Sequence, residues 1–286
     1  MSAVTTILSI QSSVAYGHVG NSAATFPLMR LGVEVWPVLT VHFSNHTGYG
    51  AWRGPLLAAS DVADVVRGID ERGVLNRVDA VLSGYQGGEA VGAEILNAVA
   101  LVKQRNPSAI YCCDPVMGDV GRGFYVRPGI PEFMRDAVVP AAQIVTPNQF
   151  ELDFLTGRQT RTLDDLLEAA HALRATGPEV VLVTSAILEG SDPGSVLMLV
   201  VDGTGAWTVT TPLLDRTFTG SGDITAAIFL AHYLRSGSPA SALENTAGAV
   251  YSVLKATAEG ESSELALVAA QDDLVQPSHT FRAVSL

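Results

Sequence analysis

Lysine is scarce in this sequence. Only two of the 17 basic residues are lysines, Lys103 and Lys255, and the rest are arginines. Both lysines lie in stretches with helical periodicity, away from every motif described below. An enzyme that forms a Schiff base with a carbonyl substrate needs a lysine at its site. The composition therefore disfavours that class of enzyme.

Cysteine and long apolar runs are also lacking. The two cysteines, Cys112 and Cys113, are adjacent, which excludes a disulfide scaffold and favours a reducing, cytoplasmic location. No apolar run approaches the ~18 residues of a transmembrane helix. The first ten residues, MSAVTTILSI, have no basic segment and run into polar residues. We therefore expect a first strand there and no signal peptide.

Charge is low in amount and acidic in sign. Charged residues make up 16% of the 286 residues, and 17 basic against 29 acidic residues give a net charge of −12. A nucleic-acid-binding protein normally carries a basic surface, and an anionic membrane also attracts basic proteins. We expect neither partner. No linker or internal repeat divides the chain, so we interpret residues 1–286 as a single domain.

Short β-branched runs alternate with segments of helical periodicity. This alternation predicts βαβ units and an α/β fold with a mostly parallel sheet covered on both faces. Asp202-Gly203 between the seventh and eighth runs predicts a hairpin, and hence an antiparallel pair. The predicted strands are 6–10, 33–39, 80–83, 109–113, 144–146, 180–184, 196–201 and 207–210. The predicted helices include 62–69, 93–102, 163–173, 224–234 and 240–254.

Polar clusters follow five of the predicted strands. They are Gln11-Ser12, Gly84-Tyr85, Asp114-Pro115, Thr146-Pro147-Asn148 and Thr184-Ser185. Turn-forming residues are common after any strand. Ligands of open α/β sheets, however, gather at the carboxyl ends of the strands. Five clusters in succession favour a site at this edge.

The segment Thr219-Gly220-Ser221-Gly222-Asp223 precedes an apolar helix. Glycines let the backbone approach a ligand closely, and a helix N-terminus favours an anion. A carboxylate beside that anion is unfavourable unless it removes a proton there, as a general base does in phosphoryl transfer. The alternative interpretation is an ordinary helix start after a flexible turn.

A second constellation is acidic. It consists of DPVMGD at 114–119 and NQFE at 148–151. With few basic residues, the phosphates of a nucleotide need Mg²⁺, which is typically held by one or two carboxylates together with phosphate oxygens. Asp114 and Glu151 are the candidate ligands. The alternative is a solvated strand end followed by a helix that Asn148 caps.

The segment FSNHTGY at 43–49 is rich in aromatic and hydrogen-bonding side chains. Together with Ser12 and Tyr85 it predicts an aromatic-walled pocket for a flat polar ring. His42 and His46 have the i, i+4 spacing of a zinc pair, but no third ligand has a matching spacing. We therefore expect His46 to form hydrogen bonds or to pack.

Several well-known motifs are missing from the sequence. It contains no GxxxxGK[ST] phosphate loop, no GxGxxG, no GxSxG and no HExxH. Phosphoryl transfer by this chain would therefore be of a type that does not use a phosphate loop.

Six segments together resemble pyridoxal kinases of the ribokinase-like superfamily, in family order and spacing over almost the whole chain. FSNHTGYG and CDPVMGD are specific to pyridoxal kinases, whereas GSGD and TPN…E are shared more broadly. The segments are ILSIQSSVAYGHVGNSAATFPL at 7–28, VHFSNHTGYGAWRG at 41–54, VLSGY at 81–85, CDPVMGD at 113–119, TPNQFELDFLTG at 146–157 and GSGD at 220–223.

The resemblance implies a three-layer α/β/α sandwich of ribokinase-like fold. It also implies ATP-dependent phosphorylation of the 5′-hydroxymethyl group of pyridoxal, with Mg²⁺, in a cytoplasmic homodimer. Monovalent-cation dependence and vitamer preference stay open.

The resemblance also implies roles for individual residues. Asp223 matches the catalytic base and the amides of Gly220, Ser221 and Gly222 match the anion hole. Ser12, Thr47 and Tyr85 match vitamin contacts, which Val41, Phe43 and His46 adjoin. Asp114, Asn148 and Glu151 match positions near Mg²⁺ and the ATP phosphates. Thr184 and Ser185 match a phosphate-contacting strand end, and Thr211, Pro212, Leu213 and Leu214 match a nucleotide-base loop.

The sequence departs from the family pattern at three places. Some bacterial relatives carry lysine where Thr184 stands, so we expect a hydroxyl hydrogen bond to phosphate there. Relatives often have threonine or valine where Ser221 stands. We expect serine to be tolerated there, because the backbone amide and not the side chain is the inferred hydrogen-bond donor. The loop 118–128 varies in the family, and we expect it to form a flap without assigning roles to its residues.

Two other functions stay open at this point. One is a kinase of the same superfamily for a hydroxymethylpyrimidine or a sugar. The other is a non-catalytic carrier or sensor of the vitamin, which would have no need of Asp223 beside an anion hole. A pyridoxal-phosphate-dependent enzyme is weaker still, because it requires a lysine at the site.

Overall fold

The computed structural model describes residues 4–286. Its strands are β1 (Thr6–Val14), β2 (Glu34–Phe43), β3 (Ala80–Ser83), β4 (Ile110–Cys113), β5 (Gly118–Asp119), β6 (Gly123–Phe124), β7 (Ile144–Val145), β8 (Val180–Ala186), β9 (Ser195–Val201), β10 (Ala206–Pro212) and β11 (Val284–Ser285). Its helices are α1 (Asn21–Arg30), α2 (Ala59–Glu71), α3 (Glu89–Arg105), α4 (Ile130–Phe133), α5 (Val139–Ala141), α6 (Gln149–Thr156), α7 (Leu163–Arg174), α8 (Ser221–Ser236) and α9 (Pro239–Glu259). A π-helical turn, Met134–Val138, joins α4 to α5, and 3₁₀ turns cover Thr47–Tyr49 and Leu75–Arg77.

The strands form one large sheet and one small one. The large sheet runs in the order β11-β10-β9-β8-β7-β4-β3-β1-β2. The pairs from β2 to β8 are parallel, whereas β9, β10 and β11 each pair antiparallel with their neighbours. The predicted hairpin is confirmed as β9–β10, and Asp202 closes its turn by accepting a 2.7 Å hydrogen bond from the amide of Thr204. β5 and β6 form a separate antiparallel hairpin.

Helices cover both faces of the large sheet, because successive strand residues point to opposite sides. Leu8 and Ile10 of β1 pack in one core with α2, α3, α6 and α7. Ile7, which precedes Leu8 and points to the opposite face, packs in the other core with α1, α8 and α9. The predicted three-layer α/β/α sandwich is confirmed.

The first, second, sixth and eighth predicted strands end too early. β1 continues past Ile10 to Val14, and β2 continues past Leu39 to Phe43. β8 continues past Thr184 to Ala186, and β10 continues past Thr210 to Pro212. The register of β1 on β2 shifts between Gln11 and Ser13, and that of β8 on β9 shifts between Val183 and Ala186. Such bulges interrupt the ladder and re-aim side chains, often next to active sites. The polar residues that resemble turns after these strands therefore lie within them. Ser12 lies opposite the extra residue of β2, and Thr184 and Ser185 carry the extra residue of β8.

Candidate active site

A cavity of ≈ 240 Å³ lies at the carboxyl edge of the parallel strands. It brings together side chains from the ends of β1, β2, β3, β4, β7 and β8 and from the start of α8. The predicted site residues in its wall are Ser12, Val41, Phe43, His46, Thr47, Tyr85, Asp114, Asn148, Glu151, Thr184, Ser185, Gly220, Ser221, Gly222 and Asp223.

Four predicted residues, Thr211, Pro212, Leu213 and Leu214, do not line this cavity. They lie at and beyond the carboxyl end of β10, where Pro212 pairs with Ser195. Because β9 and β10 are both antiparallel to their neighbours, β10 ends at the same edge of the sheet as β8. The nucleotide-base role of this segment stays a prediction.

Two of the cavity's hydroxyl clusters lie at the bulges. Ser12 lies between the shifted residues of β1, and Thr184 and Ser185 lie between those of β8. Ser12 is 6% exposed. The loss of regular pairing lets these residues line the cavity instead of continuing the alternation of the strand.

The glycine segment forms a tight entry into α8. Gly220 has a φ of 88° and is the N-cap of the helix, and a Cβ at this position would collide with the carbonyl oxygen of His18. At Gly222 a Cβ would meet only Asp114 Oδ2, at 3.9 Å. Gly220 is therefore required by the backbone, whereas Gly222 leaves open space in the cavity beside the amides of the first helical turn.

Asp223 lies in the first turn of α8, in the wall of the cavity. Burial raises the pKa of this carboxyl to about 6, although hydrogen bonds from the backbone of Gly20 and of Asp223 itself lower it. A carboxylate with this pKa is ionised at neutral pH and is a stronger base than an ordinary aspartate. Asp223 can thus accept a proton from a group bound in the cavity.

Glu151 joins the end of β4 to the start of α6. Its Oε1 accepts hydrogen bonds from the amides of Met117 (2.8 Å) and Gly118 (3.4 Å). Its Oε2 accepts one from the amide of Asn148 at 3.0 Å, and Asn148 Oδ1 accepts one from the amide of Glu151 in return. This reciprocal pair is a capping box. Asn148 therefore caps α6, as the alternative interpretation of this segment expected. The same capped helix start also forms part of the cavity wall.

Asp114 and Glu151 are 5% and 3% exposed. Burial raises the pKa of both carboxyls, and the neighbouring carboxylates Glu151 and Asp223 raise that of Asp114 further. Thr146 donates a 3.1 Å hydrogen bond to Asp114 Oδ1, whereas Oδ2 faces Gly222. A divalent cation would relieve the repulsion within such a group of acids. The residues present therefore fit a magnesium site, with Asp114 the more available ligand.

No protein-only metal centre accompanies these acids. Within residues 4–286, no three His, Cys, Asp or Glu side chains converge as metal ligands. Mg²⁺ is typically bound by one or two carboxylates together with the phosphates of a substrate. The arrangement is thus of the kind that completes its metal coordination with a nucleotide.

The other end of the cavity has an aromatic wall. Phe43, His46 and Tyr85 line it together with the hydroxyls of Ser12 and Thr47. Burial raises the pKa of Tyr85, although the charge of Arg127 lowers it, so Tyr85 is a neutral hydrogen-bonding group near pH 7. These groups suit a flat ring with polar substituents.

Sequence reasoning assigned no roles in the loop 118–128, which the structure shows as the β5–β6 hairpin. The hairpin adds Asp119, Arg122 and Tyr125 to the cavity wall. Arg122 is the one lysine or arginine among the described lining residues. Phe124 anchors the hairpin on α6, with its ring centroid 5.0 Å from those of both Phe150 and Phe154. The aromatic residues at 124, 150 and 154 were the sequence feature that could have placed this hairpin beside α6. Their contact with one another, however, is visible only in the tertiary structure.

Sequence comparison gives consistent relatives. The profile of the phosphomethylpyrimidine kinase family matches residues 65–265. A protein named pyridoxal kinase PdxY from Rubrobacter xylanophilus is 58% identical over 96% of this chain and 95% of its own length. One of the same name from Leifsonia xyli is 56% identical over 96% of this chain and 97% of its own.

Solved structures agree in fold. Pyridoxal kinase from Leishmania donovani, in complex with ADP and ginkgotoxin, superposes with a TM-score of 0.93 at 31% identity, covering 99% of each chain. The same enzyme with ADP and pyridoxamine gives a TM-score of 0.92 at 30% identity, covering 99% of each chain. Across residues 4–286, none of the helices is long and apolar enough to cross a membrane.

Proposed function

The chain belongs to the pyridoxal kinase family, and from this premise we propose that it transfers the γ-phosphoryl group of ATP to the 5′-hydroxymethyl group of pyridoxal. The product is pyridoxal 5′-phosphate, and the role is vitamin B6 salvage. The observation that supports this most directly is Asp223, whose carboxyl has a pKa raised to about 6 and lies in the same cavity wall as the amides of the α8 start and the ring-binding residues.

Asp223 acts as the general base. It takes the proton of the substrate hydroxyl as the oxygen attacks the γ-phosphorus, and the bond from that phosphorus to the ADP oxygen breaks. The amides of Gly220, Ser221 and Gly222 face the transferring group and stabilise its negative charge at the helix N-terminus. Ser12, Thr47 and Tyr85 hold the pyridine ring so that the hydroxymethyl group reaches Asp223.

Asp114 and Glu151 would hold Mg²⁺ together with the phosphates of ATP. When bound, the ion neutralises charge on the β- and γ-phosphates. Glu151 also holds the Met117–Gly118 amides in place, so its removal affects both the cavity wall and the metal. Thr184 and Ser185 contribute hydroxyl hydrogen bonds to phosphate, and the segment from Thr211 to Leu214 contacts the nucleotide base.

The experiment that tests this function is a coupled ADP-release assay with purified protein. Pyridoxal, pyridoxine, pyridoxamine and hydroxymethylpyrimidine are compared side by side, each with Mg²⁺ and with excess chelator. We expect Mg²⁺-dependent turnover of pyridoxal. Turnover of hydroxymethylpyrimidine alone would favour the alternative kinase, in line with the name of the matching family profile. Binding of pyridoxal without any turnover would favour the carrier.

The remaining features of the proposal concern the setting of the enzyme. Residues 1–286 form a single kinase domain, in which one large sheet supports most of the cavity wall. The protein works in the cytoplasm, where its two adjacent cysteines stay reduced, and it assembles as a homodimer. Sedimentation velocity tests the homodimer.

A further inference from the structure

Glu264 is a buried carboxylate that the proposed mechanism does not use. It lies after α9, in the segment that leads to the C-terminus, and it is 7% exposed. It does not line the substrate cavity. A carboxylate this buried normally has several hydrogen-bond donors around it, and here the donors come from distant parts of the chain.

Two hydrogen-bond donors and one histidine ring nitrogen surround the two carboxylate oxygens. Oε2 accepts a 2.9 Å hydrogen bond from the amide of His18. Oε1 accepts a 2.7 Å hydrogen bond from the hydroxyl of Tyr49. His46 Nε2 also lies 3.3 Å from Oε1. Glu264 thus connects the turn after β1 with the turn that carries Thr47, on the substrate side of the cavity.

The position of Glu264 bears on the proton of the His46 ring. At a ring nitrogen 3.3 Å from a carboxylate oxygen an N–H group is favoured over a lone pair, and a proton on Nε2 would leave Nδ1 as the acceptor of the ring. Nδ1 lies on the Gly48 side of the ring, 2.9 Å from where a Cβ of Gly48 would stand. Gly48 and His46 both line the cavity.

We propose that Glu264 is a positioning residue that fixes the tautomer of His46, so that the histidine presents an acceptor, Nδ1, on the cavity side of its ring. This inference rests on the proposed function for its substrate, a flat ring that carries hydroxyl groups. A hydrogen-bond acceptor in the cavity wall selects for a hydroxyl or N–H donor on the substrate ring. The opposite tautomer would present a donor and lose that match.

Glu264→Gln is the informative variant. Its amide can place the oxygen toward His18 N–H and the NH₂ group toward Tyr49 and His46. Tyr49 can accept through its hydroxyl, and His46 can accept at Nε2 only if the proton moves to Nδ1. We therefore expect the fold to survive and the tautomer to switch. The matched control is Glu261→Gln, an exposed glutamate three residues earlier in the same segment.

The first readout needs no activity. Long-range ¹H–¹⁵N spectra of ¹⁵N-histidine-labelled protein, with His46 assigned by His46→Ala, report which ring nitrogen carries the proton. We expect Nε2–H in the wild type and in Glu261→Gln, and Nδ1–H in Glu264→Gln. An Nδ1–H ring in the wild type, or an unchanged tautomer in Glu264→Gln, overturns the proposal.

The second readout is kinetic. We expect Glu264→Gln to raise the KM for pyridoxal about tenfold, which is the upper end of the range for one lost hydrogen bond between neutral groups. The KM for ATP and the melting temperature stay near wild type. In a His46→Ala background the same change adds less than about twofold, since residues that act through one another are not additive. Full additivity, or an equal rise in both KM values, overturns the proposal. Absence of pyridoxal turnover by the wild type overturns the proposed function instead, and the spectra then decide the role of Glu264 alone.

Discussion

Asp223→Asn is expected to have opposite effects on catalysis and on stability. The substitution keeps the shape of the side chain and removes its charge and basicity. A positioned general base contributes roughly 10²–10⁴-fold to the rate, which is about 3–5 kcal/mol of transition-state stabilisation. We therefore expect kcat to fall by that factor. The KM for ATP stays the same or falls, because a negative charge beside the triphosphate is removed.

The stability effect follows from the direction of the pKa shift. Burial raises the pKa of Asp223 from its ordinary value of 3.8 to about 6, so the folded state binds the proton more tightly than the unfolded state does. Stability therefore decreases as the pH rises from about 4 to about 6, and the full penalty persists above that window. At 1.36 kcal/mol per pKa unit the penalty is at most about 3 kcal/mol, and solvent screening of this half-buried group reduces it to about 1–2 kcal/mol.

Two measurements on purified protein test this pair of effects. Denaturant unfolding near pH 8 should show Asp223→Asn to be more stable than the wild type, with the difference vanishing near pH 4. Steady-state kinetics should show the loss in kcat, and the wild-type kcat/KM should fall below about pH 6 as the base is protonated. The matched control is Asp164→Asn, since Asp164 is an exposed carboxylate in the first turn of α7, and it should change neither quantity appreciably. A variant at position 223 that keeps more than about a tenth of the wild-type kcat would refute the general-base role.

Three further predictions concern other parts of the cavity. Gly222→Ala should fold normally but lose most of its turnover, because the new methyl group occupies the space toward Asp114 Oδ2 at 3.9 Å. Gly220→Ala should instead lower the melting temperature, because its φ of 88° is strained for alanine. Equal melting temperatures of the two variants would contradict these separate roles of Gly220 and Gly222. Excess chelator should abolish turnover, and Asp114→Asn should raise the Mg²⁺ concentration needed for half-maximal rate; full activity in chelator would exclude the metal site. Tyr85→Ala should raise the KM for pyridoxal by about tenfold or more, through lost ring contact and a hydrogen bond worth about 1 kcal/mol, with Tyr85→Phe losing only the hydrogen bond; a change confined to the KM for ATP would place the ring pocket elsewhere.

The order of strands and helices could be predicted from the sequence because it depends on local pattern. Runs such as 180–184 are apolar throughout, as strands covered on both faces are, and Asp202-Gly203 defines a hairpin by turn chemistry alone. The glycine segment at 220–222 and the acids at 114 and 151 are recognisable because the chemistry they suggest depends on residue type and short spacing. The carboxyl ends of parallel strands share one edge, so these segments could be expected to meet.

The ends of β1 and β8 could not be predicted in the same way. Gln11-Ser12 and Thr184-Ser185 resemble turns, because polar residues after an apolar run usually end a strand. Only pairing with β2 and β9 keeps these residues in the sheet, at positions where the register shifts. The register of a neighbouring strand decides this, and no local pattern encodes it.

The sequence by itself determined the fold class, the parallel sheet edge and most of the residues in the cavity wall, since these follow from periodicity and from motifs of a few residues. Only the tertiary structure decided that the hairpin bearing Arg122 closes the wall, that burial raises the pKa of Asp223, and that Glu264 reaches His46. The physical reason is that proton affinity and hydrogen-bond geometry depend on which groups surround a side chain in space. For Glu264 those groups lie more than two hundred residues away along the chain.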